Sequence, residues 1–450
     1  MVKKIFTFLN KEFNGINEAA LLLGSLTLFS QILGLVRDRL LANYVGAGAE
    51  LDVYYAAFRI PDFLYISIAS LISVTVLLPF LIEKMGKDND KIKGKKFMNE
   101  IFTAFILFMV FVSVIVYIFM PYLAHLIAPG FSIENTDSLI KISRIMLLSP
   151  IFIGISNMFG IITQAYKRFF IFSLSSVFYN LGIILGVIFL YPIFGISGLA
   201  YGVIIGAILH LAIQIPTIIK IGFWPTLSLN FNVKEIVKVA KTSLPRTLAL
   251  ASSNISFIAI IAIASTVGAG AISLFTFSYN LQSVPVGIIG ISFSVAAFPL
   301  LVQSFSNQNK KLFVDYIINS ARQIIFWSLP VIALFVVLRA QIVRVVLGVD
   351  TFSWSDTRLT AASLAIFVLS LATQSLVFLF VRGYYAAGNT KKPLIANISS
   401  AIIVIILSFV FMNLFKNNKE VLNYIEKILR VEGVPGTLML ALPLAYISGS

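Results

Sequence analysis

Apolar residues in this chain gather into runs of about twenty, separated by short stretches rich in Lys, Asn, Gly and Pro. Such a run is long enough to cross a bilayer as helix. Runs and breakers place helices near 17–46, 51–82, 98–120, 138–165, 171–191, 194–219, 236–264, 270–303, 313–338, 359–386, 394–415 and 435–450. The pattern predicts an all-α polytopic membrane protein with about twelve transmembrane helices. The last run reaches Ser450 after too few residues to cross comfortably, so the reading allows for a truncated last helix with further helices beyond it.

Composition agrees with the pattern. Hydrophobic residues make up 59% and charged residues only 12%, the mean hydropathy is +0.96, and a soluble protein would carry about twice that charged fraction. The absence of Cys excludes disulfide and thiolate chemistry. His125 and His210 lie far apart with no acidic residue at ligand spacing, so they read as loop or packing residues, and no metal or cofactor is expected. Residues 1–16, "MVKKIFTFLNKEFNGI", are basic and amphipathic and lead into a run without a small-residue cleavage site, so they read as a retained cytoplasmic segment and not a signal peptide.

A net charge of +15 raises nucleic acid as a partner, but most of the charge sits between the apolar runs. Loops after helices 2, 4, 6, 8 and 10 carry Lys84, Lys87, Lys91, Lys93, Lys95 and Lys96; Lys167 and Arg168; Lys220, Lys234, Lys238 and Lys241; Lys310 and Lys311; Lys391 and Lys392. Loops after helices 1, 3, 5 and 7 carry no Lys or Arg. The positive-inside rule therefore puts the N-terminus and the even-numbered loops in the cytoplasm. Two late outer loops depart from it, one with Arg339, Arg344 and Arg358, the other with Lys416, Lys419, Lys427 and Arg430. The second, "KNNKEVLNYIEKILRVEG", reads as an amphipathic helix on the outer surface.

The chain also resembles itself. Pro79 in "SVTVLLPFLIEK" matches Pro299 in "SVAAFPLLVQS", and the segment after helix 4 matches the segment after helix 10, both at a spacing of about 220 residues. Six helices lie between the repeated elements, which gives both halves the same membrane orientation and a pseudo-two-fold axis along the membrane normal. The expected organisation is an N-lobe over 17–220, a cytoplasmic linker over 221–235 and a C-lobe over 236–450, with a substrate cavity between the lobes.

Charge intrudes most in "GLVRDRLLANYVGAGAELDVYYAAFRIPDF". Ser30, Gly34 and Arg37 share one helical face, as do Asp52, Tyr55 and Arg59, and the short "VGAGAE" turn makes the two helices antiparallel neighbours. Intramembrane charge marks a substrate or ion path, or else Asp38 or Asp52 neutralises Arg37 or Arg59 in a structural pair. The path is the favoured reading for Arg37 and Arg59, structural pairing or snorkelling for Arg39 and Asp62. Further polar intrusions are Lys141 and Arg144, read evenly as cavity wall or as outer phosphate ligands, Arg246, where snorkelling is slightly favoured, and Asn254, Asn280 and Arg382. Pro61, Pro150, Pro245 and Pro285 are expected to bend their helices. The excess of Arg over acid favours an anionic substrate, because guanidinium forks pair bidentately with phosphate. A drug-cation exporter would instead place carboxylates in the cavity.

The stretch "LTLFSQILGLVRDRLLANYVGAGAELDVYYAAFRIPDF" resembles the N-terminal signature of the MurJ (MviN) lipid II flippase family, with its R-[DE] pair, GAG, Asp, aromatics and [RK]-x-P-[ND]. "YNLGIILG" and "VRGYYAAGNTKKP" are similar to further family segments, and the resemblance runs in order from 17 to 450. It implies a member of the multidrug/oligosaccharidyl-lipid/polysaccharide exporter superfamily in the bacterial inner membrane. The implied activity is outward movement, by alternating access, of an undecaprenyl-diphosphate-linked cell-wall precursor. By position it carries over Arg37 and Arg59 as diphosphate ligands and Asp52 as a residue orienting Arg59 or a gate; Asp38, Asn280, Arg144 and Arg246 complete the candidate headgroup cavity. Gln31, Tyr65 with Ile66, and Asn280 stand where the family commonly has arginines, "SIASLIS" replaces "AEGAFS", and the two C-terminal helices common in the family are expected beyond Ser450 if present.

Export of another lipid-linked oligosaccharide or a small solute, or a non-transporting membrane scaffold, are the alternatives. An enzyme is disfavoured, since no carboxylate pair, metal cluster or nucleophile–base set is present. The expected partners are the glycan lipid and membrane lipids, without nucleic acid, for a monomeric protein. A proton, Na⁺ or the membrane potential stands as the energy source.

Overall fold

The computed structural model describes residues 16–69, 74–86, 90–228 and 232–450. The N-terminal segment expected over 1–16 falls, but for its last residue, outside them. All regular structure among the described residues is helical. Eight helices there are long and apolar enough to span a membrane, from Lys91–Ile127 to Lys391–Asn417, and a ninth forms if Trp354–Leu369 and Leu371–Ala386, bent by 45°, count as one span. Ile16–Tyr44, the helical segments Ala49–Ala57, Arg59–Leu64, Tyr65–Ala69 and Val74–Met85, and the short Thr437–Gly449 occupy the other three expected positions.

Several ends lie outside the apolar runs because caps and polar turns extend them. The third span starts at Lys91, not near 98, and passes Pro121 to end at Ile127. Asp90 sets its start by accepting from the N–H groups of Ile92 and Lys93 at 3.0 and 3.2 Å. These bonds hold the Asp90 carboxyl below the usual carboxylate range. His125 therefore sits on the last helical turn and not in a loop.

Proline explains several interruptions. Pro61 has no N–H for the carbonyl of Ala57; the helix breaks at Phe58, and the Ser143 hydroxyl donates to the freed carbonyl at 3.5 Å. A second break, at Leu147, lies three residues before Pro150, which has no N–H for the carbonyl of Met146. Pro285 is followed by a wider, π-helical turn over Val286–Ile291. Val233–Ser265 stays helical through Pro245.

The described residues divide into two compact units: residues up to Arg37 with Ala57–Ala124 and Asp137–Ala251, and Asp38–Ala56 with His125–Thr136 and Ser252–Ser450. In the first unit, Phe169–Phe194 and Ile196–Ile221 meet along a seam of glycines. A methyl group built on Gly182 would lie 2.2 Å from the Gly206 Cα, and one on Gly186 would lie 2.4 Å from the Gly202 Cα. Glycine every fourth residue on both helices lets the two backbones touch, the packing that hydrocarbon favours because no hydrophobic force draws helices together there.

The second unit closes around aromatic rings. Phe257, Phe275, Tyr279, Phe367 and Tyr446 pack edge to face with centroids 4.9–6.1 Å apart. Tyr446 belongs to the last helix, Ala441–Gly449, whose Ala441, Leu442 and Ala445 are fully buried. The same unit contains an N-terminal clamp. Asp52, 1% exposed, accepts from the N–H groups of Gly270 and Ser273, both at 2.7 Å, and from the Ser273 hydroxyl. The carboxylate thereby satisfies orphan donors where Ala271–Pro285 begins, at the positive end of its dipole.

Two expected outcomes follow from these contacts. Gly202→Leu forces the glycine seam apart and should cost about 3 kcal/mol, read as a fall in thermal unfolding temperature in detergent, while Gly24→Ala, at a position with open space, leaves it unchanged. Asp52→Ala strands three buried donors and should cost about 3 kcal/mol, against about half of that for Asp52→Asn, which keeps one acceptor oxygen. Equal losses for the two Asp52 variants would show that the clamp does not act through its acceptor atoms.

Candidate functional site

In the first unit the predicted Ser30, Gly34, Arg37 face of Ile16–Tyr44 is met by one amide. Asn180 accepts from Arg37 Nη1 at 3.4 Å and donates to the Ser30 hydroxyl at 3.1 Å and to the Ser30 and Ser176 carbonyls at 3.3 Å. Arg37 is half-buried, so its fork is oriented without being sealed off. Asn180 was not among the expected site residues. Its signal was present as the one amide in "FYNLGIIL", an otherwise apolar run.

One turn along the same helix, Ser176 and Tyr179 line a cavity of about 250 Å³ with Asp62, Tyr65, Ser149 and His210. Its apolar walls include Phe58, Pro61 and Met146. Tyr65 is fixed by the Asn157 amide, which donates to its hydroxyl oxygen at 2.6 Å. The Tyr179 hydroxyl is hydrogen-bonded to Ser149. His210 Nδ1 lies 2.7 Å from the Ser156 hydroxyl, and its ring meets Tyr179 at 90° with centroids 6.4 Å apart. Asp62 lies within Coulomb range of Arg59, and Tyr179 within that of Arg37. Sequence reasoning left Asp62 to a structural pair and Tyr65 as a departure from the family; the structure puts both on the cavity wall.

In the second unit, Asp38 and Asn280 come together. The Asn280 amide donates to Asp38 at 2.9 Å, and Asp38 is 2% exposed. Asp52, expected to orient Arg59 or a gate, has both carboxylate oxygens committed to Gly270 and Ser273. Arg39 donates to the carbonyls of Val345 and Val346 at 2.5 and 3.1 Å, in keeping with a structural role.

The remaining candidates lie elsewhere. Arg144 donates to the Tyr117 carbonyl at 3.1 Å and lies 4.5 Å from the centre of the same residue's ring, a cation–π contact that gives it a local partner. Lys141 is exposed, and Asn254 and Arg382 are half-buried. The backbone of Arg246 lies in Val233–Ser265, and its side chain falls outside the described residues.

The family model described as "Lipid II flippase MurJ" matches residues 41–419. Asp52, Arg59, Arg144, Arg246 and Asn280 fall inside this match, whereas Arg37 and Asp38 lie just ahead of it. A protein of Buchnera aphidicola subsp. Schizaphis graminum named "Probable lipid II flippase MurJ" is 29% identical over 82% of this chain and 73% of its own length. A protein of the same name from Vibrio cholerae is 27% identical over 88% of this chain and 77% of its own. Among solved structures, a lipid II flippase MurJ in an inward closed conformation superposes with a TM-score of 0.77 at 25% identity, covering 95% of this chain and 86% of that one. An inward-facing multidrug resistance transporter of the MOP superfamily shares the fold at a TM-score of 0.71 and 15% identity. With one model matching well over half of its length, the chain belongs to the lipid II flippase MurJ family.

Proposed function

We propose that this protein carries lipid II, the undecaprenyl-diphosphate-linked peptidoglycan precursor, from the inner to the outer leaflet of the bacterial inner membrane by alternating access. Membership of the family carries the reading, and the oriented Arg37 supports it chemically. The diphosphate is the most strongly charged part of such a lipid. The Asn180 amide orients this guanidinium, and guanidinium forks pair bidentately with phosphate. Arg59 is the second ligand in this reading. The protein is a transporter and not an enzyme, acts as a monomer without a nucleic-acid partner, and has its N-terminus in the cytoplasm. A proton, Na⁺ or the membrane potential acting on the charged headgroup drives the cycle.

Tyr65 and Asn280 keep a second substrate in view, because each provides a neutral hydrogen-bonding group where the family commonly has a cation. Another lipid-linked oligosaccharide is therefore the alternative cargo, and a non-transporting scaffold the alternative role.

Rescue of cells depleted of their own flippase tests the reading. Expression of this chain should make lipid II accessible to an externally added cleaving enzyme. Arg37→Ala should lower the accessible fraction about tenfold, equivalent to about 1.4 kcal/mol, with Arg37→Lys in between. A protein that inserts at normal levels without exposing lipid II would transfer the proposal to another lipid-linked glycan, and an active Arg37→Ala would remove Arg37 from the diphosphate site.

Orientation can be read directly, because the chain has no native Cys. On intact cells a membrane-impermeant maleimide should label Glu134→Cys and spare Lys96→Cys; the reverse pattern would invert the topology.

A further inference from the structure

Lys419–Leu429 is an eleven-residue helix separated by Asn418 alone from the end of the apolar helix Lys391–Asn417. It starts where the family match stops, at residue 419, so most of it lies outside what the family model describes. Around its axis the residues sort cleanly. Val421, Leu422, Tyr424, Ile425, Ile428 and Leu429 occupy one broad arc, and Lys419, Glu420, Asn423, Glu426 and Lys427 the other.

The structure fixes how this helix sits on its own unit. The Asn418 side chain caps its start by accepting from the Val421 N–H at 3.3 Å. Arg430, at φ +59°, ends it, and two arginines hold the terminus: Arg339 donates to the Leu429 carbonyl at 2.9 Å, and Arg358 to the Arg430 carbonyl at 2.6 and 3.2 Å. Cations belong at this negative end of a helix dipole. Anchored in this way, the helix half-buries Leu422, Ile425 and Leu429. Tyr424 stays 66% exposed and Ile428 55% exposed, on the remainder of the same apolar arc.

We propose that Lys419–Leu429 is an interfacial anchor. Tyr424 and Ile428 enter the boundary between headgroups and acyl chains, and the basic residues around them bind anionic phospholipid. The occupant follows from position. Ile406, Phe409, Val410 and Leu414 on the preceding span are exposed apolar residues that face lipid in any membrane orientation, and the helix leaves that span at its end. Lys416, Lys419, Lys427 and Arg430 outnumber Glu420 and Glu426, and the Thr437 hydroxyl donates to Glu426. A tyrosine beside an aliphatic residue, with lysines on the opposite face, is the composition of an in-plane helix.

The test uses the full chain in nanodiscs, with a polarity-sensitive fluorophore on single cysteines. Tyr424→Cys and Ile428→Cys should emit to the blue of Asn423→Cys and be quenched about twofold or more by lipids spin-labelled near the headgroup, Asn423→Cys remaining unquenched. Replacing part of the phosphatidylcholine with phosphatidylglycerol should deepen the quenching at 424 and 428. Water-like emission at all three positions would overturn the anchor, and equal quenching in pure phosphatidylcholine would overturn its preference for anionic headgroups. Neither readout depends on lipid II transport, so a failed flippase reading leaves this result standing.

Discussion

A polar group inside hydrocarbon has no water to bind, and the buried charged groups of this protein meet partners supplied by the fold. Asp52 meets two backbone N–H groups and a hydroxyl at the start of a helix. Asp38 meets the Asn280 amide. The carbonyl of Ala57, released by Pro61, meets Ser143, and the Arg37 fork meets Asn180. Most of these contacts bridge segments far apart in sequence, so satisfying them also pins those segments together. The same demand that makes polar residues costly in a membrane lets a few of them fix the arrangement of many apolar ones.

The departures from the family pattern take on a physical meaning in this setting. At Asn280 the usual arginine would place a formal cation beside buried Asp38; the amide makes a hydrogen bond there without one. At Tyr65 a phenol held by Asn157 contributes to the cavity wall. Both replacements keep a hydrogen-bonding group and drop a fixed charge.

Apolar runs of the right length made the spans readable in the sequence, because burial in lipid is recorded residue by residue. Their ends were less readable. Asp90 caps a helix whose first turns are basic and polar, so hydropathy alone begins it seven residues too late. The partner of the Arg37 face stayed hidden for a different reason: Asn180 lies far along the chain, and periodicity within one helix says nothing of which neighbour meets it. The two basic loops expected on the outside stand as exceptions to the charge rule, and in the structure Arg339 and Arg358 sit on the carbonyls that close Lys419–Leu429. Those charges serve a helix end, a use that counting lysines and arginines does not register.

The glycine seam between Phe169–Phe194 and Ile196–Ile221 has a mechanical consequence. Where two backbones touch without intervening side chains, neither helix can slide or roll without driving main-chain atoms into one another. The pair therefore behaves as a stiff plate. The helical ladder of that unit is interrupted at Phe58, at the π-turn Tyr65–Ala69 and, within the seam itself, at the π-turn Gly186–Leu190. Phe58 and Tyr65 lie on the wall of the cavity that holds Asp62, so two of these interruptions stand beside the unit's buried polar groups.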